Sequence, residues 1–326
     1  MDLYAQLLDC HQRISPLVHD TPVLSSSLIN ELVGANIVFK CENFQKGGAF
    51  KIRGALNAIQ LLSPQKKSCG VVTHSSGNFA QAVALASRQL GLKNYIVMPS
   101  SASAVKIAAV NGYGGNVIEC GATVLDREST AAQISEETGA TFLHPSNNLN
   151  VIIGQGTATF ELLRDVPDLD ACFCPVGGGG LAAGACVAAD GKYRVFGSEP
   201  FEADDAYRSM QSGSIESNAS TNTIADGLKT QLGDINFPII REHLEAIIRV
   251  TEVEIIDAMK LVWTRMKLVI EPSSAVAVAA VIRESTKWRS KKVGIVISGG
   301  NVDLENLPFA IPRLKREAHK STPLPE

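Results

Sequence analysis

The sequence lacks long apolar runs and long runs of lysine and arginine. No stretch reaches the ~18 apolar residues expected of a membrane-spanning helix. The net charge of -3 and the pI of ≈ 6.1 argue against a nucleic-acid or membrane-surface partner. The N-terminus, from Met1 to Tyr4, has no basic segment followed by an apolar core, as a signal peptide would. We therefore expect a cytoplasmic protein whose partner is a small molecule.

The cysteines also lack the pattern of a disulfide framework or a metal centre. There are 7 of them, an odd number, and most lie in apolar segments. Cys172 and Cys174 stand close together, but no second pair lies at zinc-ligand spacing. We expect reduced thiols that pack as small apolar side chains.

Length and periodicity indicate the fold class. A chain of 326 residues, at ~100–200 residues per domain, predicts two domains. Short β-branched runs alternate with helical patterns such as 4–14, 78–90 and 252–268, which favours an α/β fold with parallel sheets and right-handed crossovers. The segment after Pro312 is basic and then proline-rich, and we expect it to fray.

The segment from Glu42 to Ala55 contains a candidate nucleophile. Lys51 follows the glycine pair Gly47-Gly48 and Phe50 and begins a predicted helix over 50–62. A helix N-terminus and partial loss of water both lower the pKa of an amine. Spacing alone still favours an ordinary surface lysine, so the assignment depends on the rest of the chain.

Two loops between a predicted strand and a predicted helix could bind anions. The residues from Thr73 to Asn78 offer hydroxyls, an amide and free main-chain N–H groups, which suit a carboxylate, although a plain helix cap has the same pattern. Gly177 to Gly180 would let the backbone wrap a phosphate. This is neither a Walker loop nor the dinucleotide fingerprint, because the lysine and the glycine spacing differ.

Two further loops carry oxygen ligands. Glu199 and Asp205 are six residues apart across a predicted bend and could share a hard cation with a main-chain carbonyl, although a solvated acidic turn is nearly as compatible with the spacing. Ser298 ends the last predicted strand, before Gly299-Gly300. Parallel α/β sheets place their ligands at such strand ends.

A nucleophilic lysine, a phosphate cradle and a carboxylate site together suit pyridoxal phosphate and an amino-acid substrate. With these motifs, the chain resembles the fold-type II pyridoxal-phosphate enzymes, which share the fold of tryptophan synthase β. Within them it is most similar to the serine/threonine dehydratases and the related racemases. The resemblance extends from Thr21 to Asp303. It implies a large domain, 1–68 plus 147–326, and an inserted small domain, 69–146, each with a mainly parallel open sheet flanked by helices.

The resemblance also implies roles for individual residues. Lys51 would form the Schiff base, Phe50 would pack on the pyridine ring, and Ser298 would meet the ring nitrogen. The remaining cofactor contacts would come from Asn78, at the phenolic oxygen, and from Gly177, Gly178, Gly179 and Gly180, at the phosphate. The substrate would meet Ser75, Ser76, Asn78, Gln81 and Arg127.

Ser76 decides the reaction that the resemblance implies. Racemisation needs an acid or base on each face of a planar carbanion, and one lysine serves one face. Racemases of this family carry a hydroxyl at the position of Ser76, where many dehydratases carry alanine. We therefore expect Lys51 and Ser76 to interconvert L- and D-serine, with β-elimination to pyruvate and ammonia as a second outcome.

The resemblance further implies a metal site, an effector site and a homodimer. Glu199, the carbonyl of Ala203, and Asp205 match a Mg²⁺, Ca²⁺ or Mn²⁺ site. Tyr113, Arg265 and Lys267 match positions that line a site for a nucleotide effector such as ATP, at the interface of a homodimer. Gly47 weakens this last match, since a hydroxyl residue is usual there.

The family usually has histidine where this chain has Phe79, which leaves the balance between racemisation and elimination open. The first alternative is a dehydratase of L-serine, L-threonine or 3-hydroxyaspartate with little racemisation. A β-replacement synthase fits less well, because the acidic turn belongs with the dehydratases and racemases. The alternative from another class is a non-catalytic pyridoxal-phosphate-binding protein.

Overall fold

The computed structural model describes residues 2–304 and 306–309. The prediction for the tail after Pro312 lies outside the described residues. The strands are β1 (Val23–Ser25), β2 (Asn36–Cys41), β3 (Val71–His74), β4 (Asn94–Pro99), β5 (Val117–Cys120), β6 (Thr141–Phe142), β7 (Ala171–Pro175), β8 (Arg194–Pro200), β9 (Leu244–Val250) and β10 (Lys292–Ile297).

Helices flank these strands, and most begin at a residue whose side chain caps the first turn. The helices are α1 (Leu3–Ile14), α2 (Ser27–Val33), α3 (Lys51–Gln60), α4 (Pro64–Cys69), α5 (Asn78–Leu90), α6 (Ala104–Gly112), α7 (Val124–Thr138), α8 (Leu149–Asp165), α9 (Gly180–Ala189), α10 (Asp205–Ser212), α11 (Asn236–His243), α12 (Glu252–Met266) and α13 (Pro272–Arg283).

The strands form two separate sheets. The larger has six strands in the order β1-β2-β10-β7-β8-β9, and the smaller has four in the order β5-β4-β3-β6. All pairings between these strands are parallel except β1 with β2. The α/β class with two mainly parallel sheets is thus confirmed, while the domain ranges 1–68 plus 147–326 and 69–146 stay a prediction.

The order of the larger sheet positions the site. The last strand, β10, inserts between β2 and β7, so the loops after all three strands meet at one edge. These loops lead to Lys51, to the glycines 177–180 and to Ser298. A crevice at the carboxyl ends of the strands, where the chain order switches, is the usual ligand position in such sheets.

Some elements differ from the expected boundaries for local reasons. The helical pattern of the sequence predicts a helix over 127–139, whereas α7 begins at Val124, because Thr123 and Asp126 form a capping box that satisfies the first turn. Asp205 starts the helix α10, whereas the sequence predicts only a bend there. Among the described residues, no helix is both long and apolar enough to cross a bilayer. All seven cysteines, each in the described part, are free thiols.

A buried ion network fixes the first turn of α3. Arg53 is fully buried and donates to both oxygens of Glu42 and both oxygens of Glu161, at 2.7 to 2.8 Å. Lys40, also fully buried, lies 2.8 Å from Glu161. Two cations and two carboxylates therefore neutralise each other between β2, α3 and α8. Because Arg53 is two residues from Lys51, the network anchors the helix start that presents the amine.

We predict that Glu161→Gln destabilises the protein by ~3 kcal/mol or more, because it leaves buried positive charge without compensation. Equilibrium unfolding in urea, followed by circular dichroism, measures the change. Glu245→Gln is the matched control, since Glu245 pairs with Arg194 at the surface and such exposed pairs contribute ~0–1 kcal/mol. Equal losses in the two variants would contradict this role of the network.

Candidate active site

Lys51 is the first residue of α3, and its amine is enclosed by aromatic rings. Its Nζ lies 4.8 Å from the centroid of Phe50 and 5.9 Å from that of Phe79, and it donates to the carbonyl oxygen of Pro145 at 3.0 Å. Burial lowers the pKa of Lys51 to about 8, against the opposing effect of Glu271. The amine is thus close to the free, nucleophilic form near neutral pH.

Phe79, the departure from the usual histidine, belongs to this enclosure. Its side chain is 2% exposed and packs in the apolar core that contains α5. An apolar ring at this position helps to exclude water from Lys51, which a titratable imidazole would do less well. The structure therefore gives Phe79 a physical effect on the lysine.

Glu271 is a site residue that the sequence analysis missed. It is the N-cap residue of α13, is 4% exposed, and both its carboxylate oxygens accept from Asn78 Nδ2 at 3.0 Å. Burial raises the pKa of Glu271 to about 7, while the hydrogen bond from Asn78 opposes the rise. Asn78 in turn accepts at Oδ1 from Asn301 Nδ2, at 2.9 Å. No sequence motif indicates Glu271, because it is brought in from 193 residues away.

The predicted phosphate loop connects β7 to α9 and is fully enclosed. Its glycines allow other segments of the protein to approach closely. A Cβ on Gly177 would lie 2.8 Å from Leu228 Cα, and one on Gly179 would lie 2.6 Å from Leu232 Cδ2. Gly179 also has a φ of +80°, which favours glycine. Buried Asn236 donates to the carbonyls of Gly178, at 2.8 Å, and Ser146, at 3.1 Å. The loop therefore has the shape of an anion cradle at a helix N-terminus.

Ser298 lies beside the lysine because β10 ends there. Its main-chain oxygen accepts from the Phe50 N–H at 3.0 Å, and its hydroxyl lies 2.9 Å from Ser274 Oγ. Ser298 is 3% exposed. Phe50, Lys51 and Ser298 are thus brought together by main-chain contact, as a site for one cofactor ring requires.

The predicted substrate residues surround the turn between β3 and α5. Ser75 Oγ accepts from the Gly77 N–H at 3.3 Å, and half-buried Ser76 makes no hydrogen bond through its hydroxyl to the described residues. Gln81 lies one turn into α5 and is buried. Arg127 Nε is buried without a partner in the described part of the chain. Free donors at a turn of this kind suit a carboxylate.

Two histidines adjoin the same turn. Burial, and after it the positive charge of Arg127, lower the pKa of His74 at the end of β3. Burial, followed by His74 and Lys51, lowers the pKa of His144 to about 4. His144 Nδ1 accepts from the N–H groups of Ser146 and Asn147, so the ring is neutral and shapes the loop. These two hydrogen bonds give His144 a structural role in the loop.

The predicted cation ligands are not a solvated turn. Glu199, Ala203 and Asp205 are each fully buried, and Glu199 lies in β8. Burial and the neighbouring Asp205 raise the pKa of Glu199 well above its usual range, and burial also raises that of Asp205. Asp205 Oδ2 is buried without a partner in the described part of the chain. Two buried carboxylates with an orphaned oxygen fit a hard cation, although no group of three or more His, Cys, Asp and Glu ligands occurs among the described residues.

The predicted effector residues lie apart within one chain. Tyr113 follows α6, whereas Arg265 and Lys267 lie at the end of α12, and no hydrogen bond or ion pair between described residues joins the two places. Gly47, where the family usually has a hydroxyl residue, has a φ of +74° and accepts from Asn301 Nδ2 at 2.8 Å. Its backbone conformation accounts for the glycine.

The sequence profile of the family described as "Pyridoxal-phosphate dependent enzyme" matches residues 14–299. The chain belongs to this family. It is 51% identical over 306 residues to the serine racemase of Dictyostelium discoideum, covering 92% of this chain and 94% of that protein. It is 43% identical to the beta-hydroxyaspartate dehydratase of Paracoccus denitrificans, covering 94% and 98%. The structure of maize serine racemase superposes with a TM-score of 0.91 at 44% identity, covering 93% of this chain and 94% of that one.

Membership of the family confirms the fold-type II resemblance and makes pyridoxal phosphate the cofactor. Other segments of the protein pack so closely on the glycine loop that a side chain would not fit there. This loop and the enclosed Lys51 fit pyridoxal phosphate. The individual residue roles stay predictions.

We predict that the rate at which cofactor-free protein attaches pyridoxal phosphate rises roughly tenfold between about pH 7 and about pH 9. A lowered pKa means that the lysine loses its proton, and becomes nucleophilic, as the pH passes about 8. Stopped-flow absorbance measures the rate, and Lys51→Ala gives the background from surface lysines. A rate that rises about a hundredfold over this range and keeps rising to about pH 10, as for an ordinary lysine, would contradict the enclosed amine.

We also predict that Gly179→Ala weakens pyridoxal-phosphate binding by about tenfold or more, because the new methyl group meets Leu232 and Asn236. Absorbance titration of the cofactor-free protein measures the affinity. Gly213→Ala is the matched control: Gly213 has a φ of +76° but nothing within 4 Å of its added Cβ. The two variants share the backbone strain, so equal affinities would rule out a tight cradle.

Proposed function

We propose that the protein is a pyridoxal-phosphate-dependent serine racemase that also eliminates water from serine. The observation that carries the proposal is Ser76, a hydroxyl free of hydrogen bonds to the described residues. It lies in the turn before α5, the helix whose Phe79 ring is 5.9 Å from the Lys51 amine. The 51% identity to the serine racemase of Dictyostelium discoideum supports the same reaction.

The cofactor, when bound, supplies an electron sink that lowers the pKa of the substrate α-carbon. Lys51 Nζ takes the α-proton of L-serine on one face, and the Ser76 hydroxyl donates a proton to the other face, which gives D-serine. The Ser298 hydroxyl, unlike a carboxylate, does not hold the ring nitrogen permanently protonated, which moderates the sink. If the β-hydroxyl leaves as water instead, aminoacrylate forms and hydrolyses to pyruvate and ammonia.

The remaining site residues orient the substrate and the cofactor. Ser75, Ser76, Asn78 and Gln81 would receive the substrate carboxylate at the start of α5, and the unpaired Nε of Arg127 would lie on the substrate side. Phe50 would pack on the pyridine ring, and Gly177 to Gly180 would donate main-chain N–H groups to the phosphate. Asn78, which Glu271 and Asn301 hold, would face the phenolic oxygen.

A second candidate is dehydration of L-serine, L-threonine or 3-hydroxyaspartate with little racemisation. The 43% identity to a beta-hydroxyaspartate dehydratase favours it, and Phe79 in place of the usual histidine leaves the balance between the two reactions open. The substrate of that relative contains a second carboxylate, which Arg127 could receive. A non-catalytic role has no comparable support, since Lys51 and Ser76 are both present.

We infer that a divalent cation, Mg²⁺ or one of its relatives Ca²⁺ and Mn²⁺, binds Glu199, Asp205 and the carbonyl of Ala203. This site is supported by the burial of the Glu199 and Asp205 carboxylates and by the unpaired Oδ2 of Asp205. A cation there would compensate the negative charge and stabilise the loop between β8 and α10.

We further infer a cytoplasmic homodimer with a site for a nucleotide effector such as ATP, lined by Tyr113, Arg265 and Lys267. The support for a dimer is the apolar strip on α2, where Leu28 is 52% and Leu32 is 59% exposed. Residues that lie apart within one chain can line one site across an interface.

The proposed function is tested by incubating the purified protein with L-serine, pyridoxal phosphate and Mg²⁺ and measuring D-serine and pyruvate in the same sample. We expect both products. Pyruvate without D-serine would favour the dehydratase, and L-threonine and 3-hydroxyaspartate would be tested next. Both candidates would be contradicted if L-serine gave neither D-serine nor pyruvate, L-threonine gave no 2-oxobutyrate and 3-hydroxyaspartate gave no oxaloacetate.

We predict that Ser76→Ala abolishes formation of D-serine while part of the pyruvate formation remains, because only reprotonation on the second face needs the hydroxyl. Chiral chromatography and a pyruvate assay measure the two rates. Ser220→Ala, at an exposed serine away from the site, is the control and should leave both unchanged. If Ser76→Ala lowers both rates equally, Ser76 is not the second acid.

A further inference from the structure

The two oxygens of the buried Asp205 carboxylate differ: one accepts a hydrogen bond, and the other has no partner among the described residues. Asp205 is fully buried, and Asn218 Nδ2 donates to its Oδ1 at 2.5 Å. Its Oδ2 has no partner among the described residues. Burying a carboxylate oxygen without a hydrogen-bond partner costs free energy. The unpaired Oδ2 therefore points to a bound ligand that takes the place of such a partner.

The orientation of the Asn218 amide follows from a second contact. Arg208 donates through Nη2 to Asn218 Oδ1 at 2.8 Å. Because a guanidinium only donates, the amide must present its oxygen to Arg208 and its N–H group to Asp205. The reverse orientation would place the amide oxygen against a carboxylate.

Arg208 is itself held on its other side. Its Nε donates to Asp204 Oδ1 at 2.8 Å, and the second oxygen of Asp204 accepts from Arg249 Nη1 at 2.7 Å. Arg249 stacks on Tyr207, with its guanidinium carbon 3.8 Å from the ring centroid. The chain of contacts thus extends from strand β9 through Asp204 and Arg208 to Asn218.

The same loop fixes the other carboxylate. Glu199 accepts from the main-chain N–H groups of Ala206 at 3.2 Å and Tyr207 at 2.8 Å, in the first turn of α10. Glu199 is therefore set by the backbone of α10, whereas the rotamer of Asp205 is set by Asn218. Only the second of these restraints depends on a side chain that a point substitution can remove.

We propose that Asn218 is a positioning residue for the divalent cation: it binds Oδ1 of Asp205 and thereby leaves Oδ2 directed to the ion. Arg208 supports this by fixing the amide orientation. The inference rests on the cation of the proposed function and is independent of which reaction the enzyme performs. Groups that orient metal ligands in this way change metal affinity by about 10–100-fold when they are removed.

The test uses Mn²⁺ as the probe on the intact holoenzyme, with free Mn²⁺ measured by electron paramagnetic resonance. Asn218→Ala should raise the Kd for Mn²⁺ by about tenfold or more. It should also reduce the rise in melting temperature that Mg²⁺ causes, while the absorbance of the bound cofactor stays unchanged. Asn222→Ala is the matched control, since Asn222 is exposed and makes no side-chain hydrogen bond to the described residues.

An unchanged Kd in Asn218→Ala, with clear Mn²⁺ binding by the parent protein, would overturn this inference alone. If the parent protein binds no Mn²⁺, both the inference and the proposed cation site are wrong, whereas the racemase proposal is judged separately by D-serine formation. Should Asn218→Ala fail to fold, Arg208→Lys decides. It removes the guanidinium donor to Asn218, so a several-fold rise in the Kd is expected and an unchanged Kd would overturn the inference.

Discussion

The site depends on keeping the amine of Lys51 out of water while still holding it in place. Phe50 and Phe79 provide the apolar enclosure, and the carbonyl of Pro145 accepts a hydrogen bond from the amine. Burial of an amine costs free energy that the rest of the fold must offset. The buried ion pair of Arg53 and Glu161 fixes the helix start two residues away, so the chain maintains a lysine with a pKa of about 8.

Parts of the chain that are distant in sequence are connected around this lysine by a few polar contacts. Asn78, at the start of α5, bonds to Glu271 at the start of α13 and to Asn301 after β10. Asn236 joins the glycine loop to the segment that receives the Lys51 hydrogen bond. These contacts link the smaller sheet, which leads into the Ser76 turn, to the larger sheet, which carries the lysine and the cradle.

Local patterns were enough to predict the class of fold and most of the elements. Hydrophobic periodicity located helices such as α5, and the glycine run and the Lys51 segment predicted a cofactor site at strand ends. The short strands β1 and β6 and the helices α4, α10 and α11 were not predicted, because a few residues or a weak pattern carry little signal. Glu271 and Asn236 act through contacts across 58 to 193 residues, which no local pattern encodes. Asn218 acts through contacts across 10 and 13 residues, within one irregular loop that carries no helix or strand period. The burial of Glu199 and Asp205 likewise depends on tertiary packing.

The central claim is that two different groups move protons on opposite faces of the substrate α-carbon. The most direct measurement is the reaction of L-serine in D₂O, with the isotopic content of each enantiomer followed from the first turnovers by mass spectrometry. The account predicts that D-serine carries deuterium at the α-carbon, since it comes from the solvent-exchanged hydroxyl of Ser76, while unreacted L-serine at first retains hydrogen. D-serine that retains the α-hydrogen of its substrate would show a single group acting on both faces and would contradict the account.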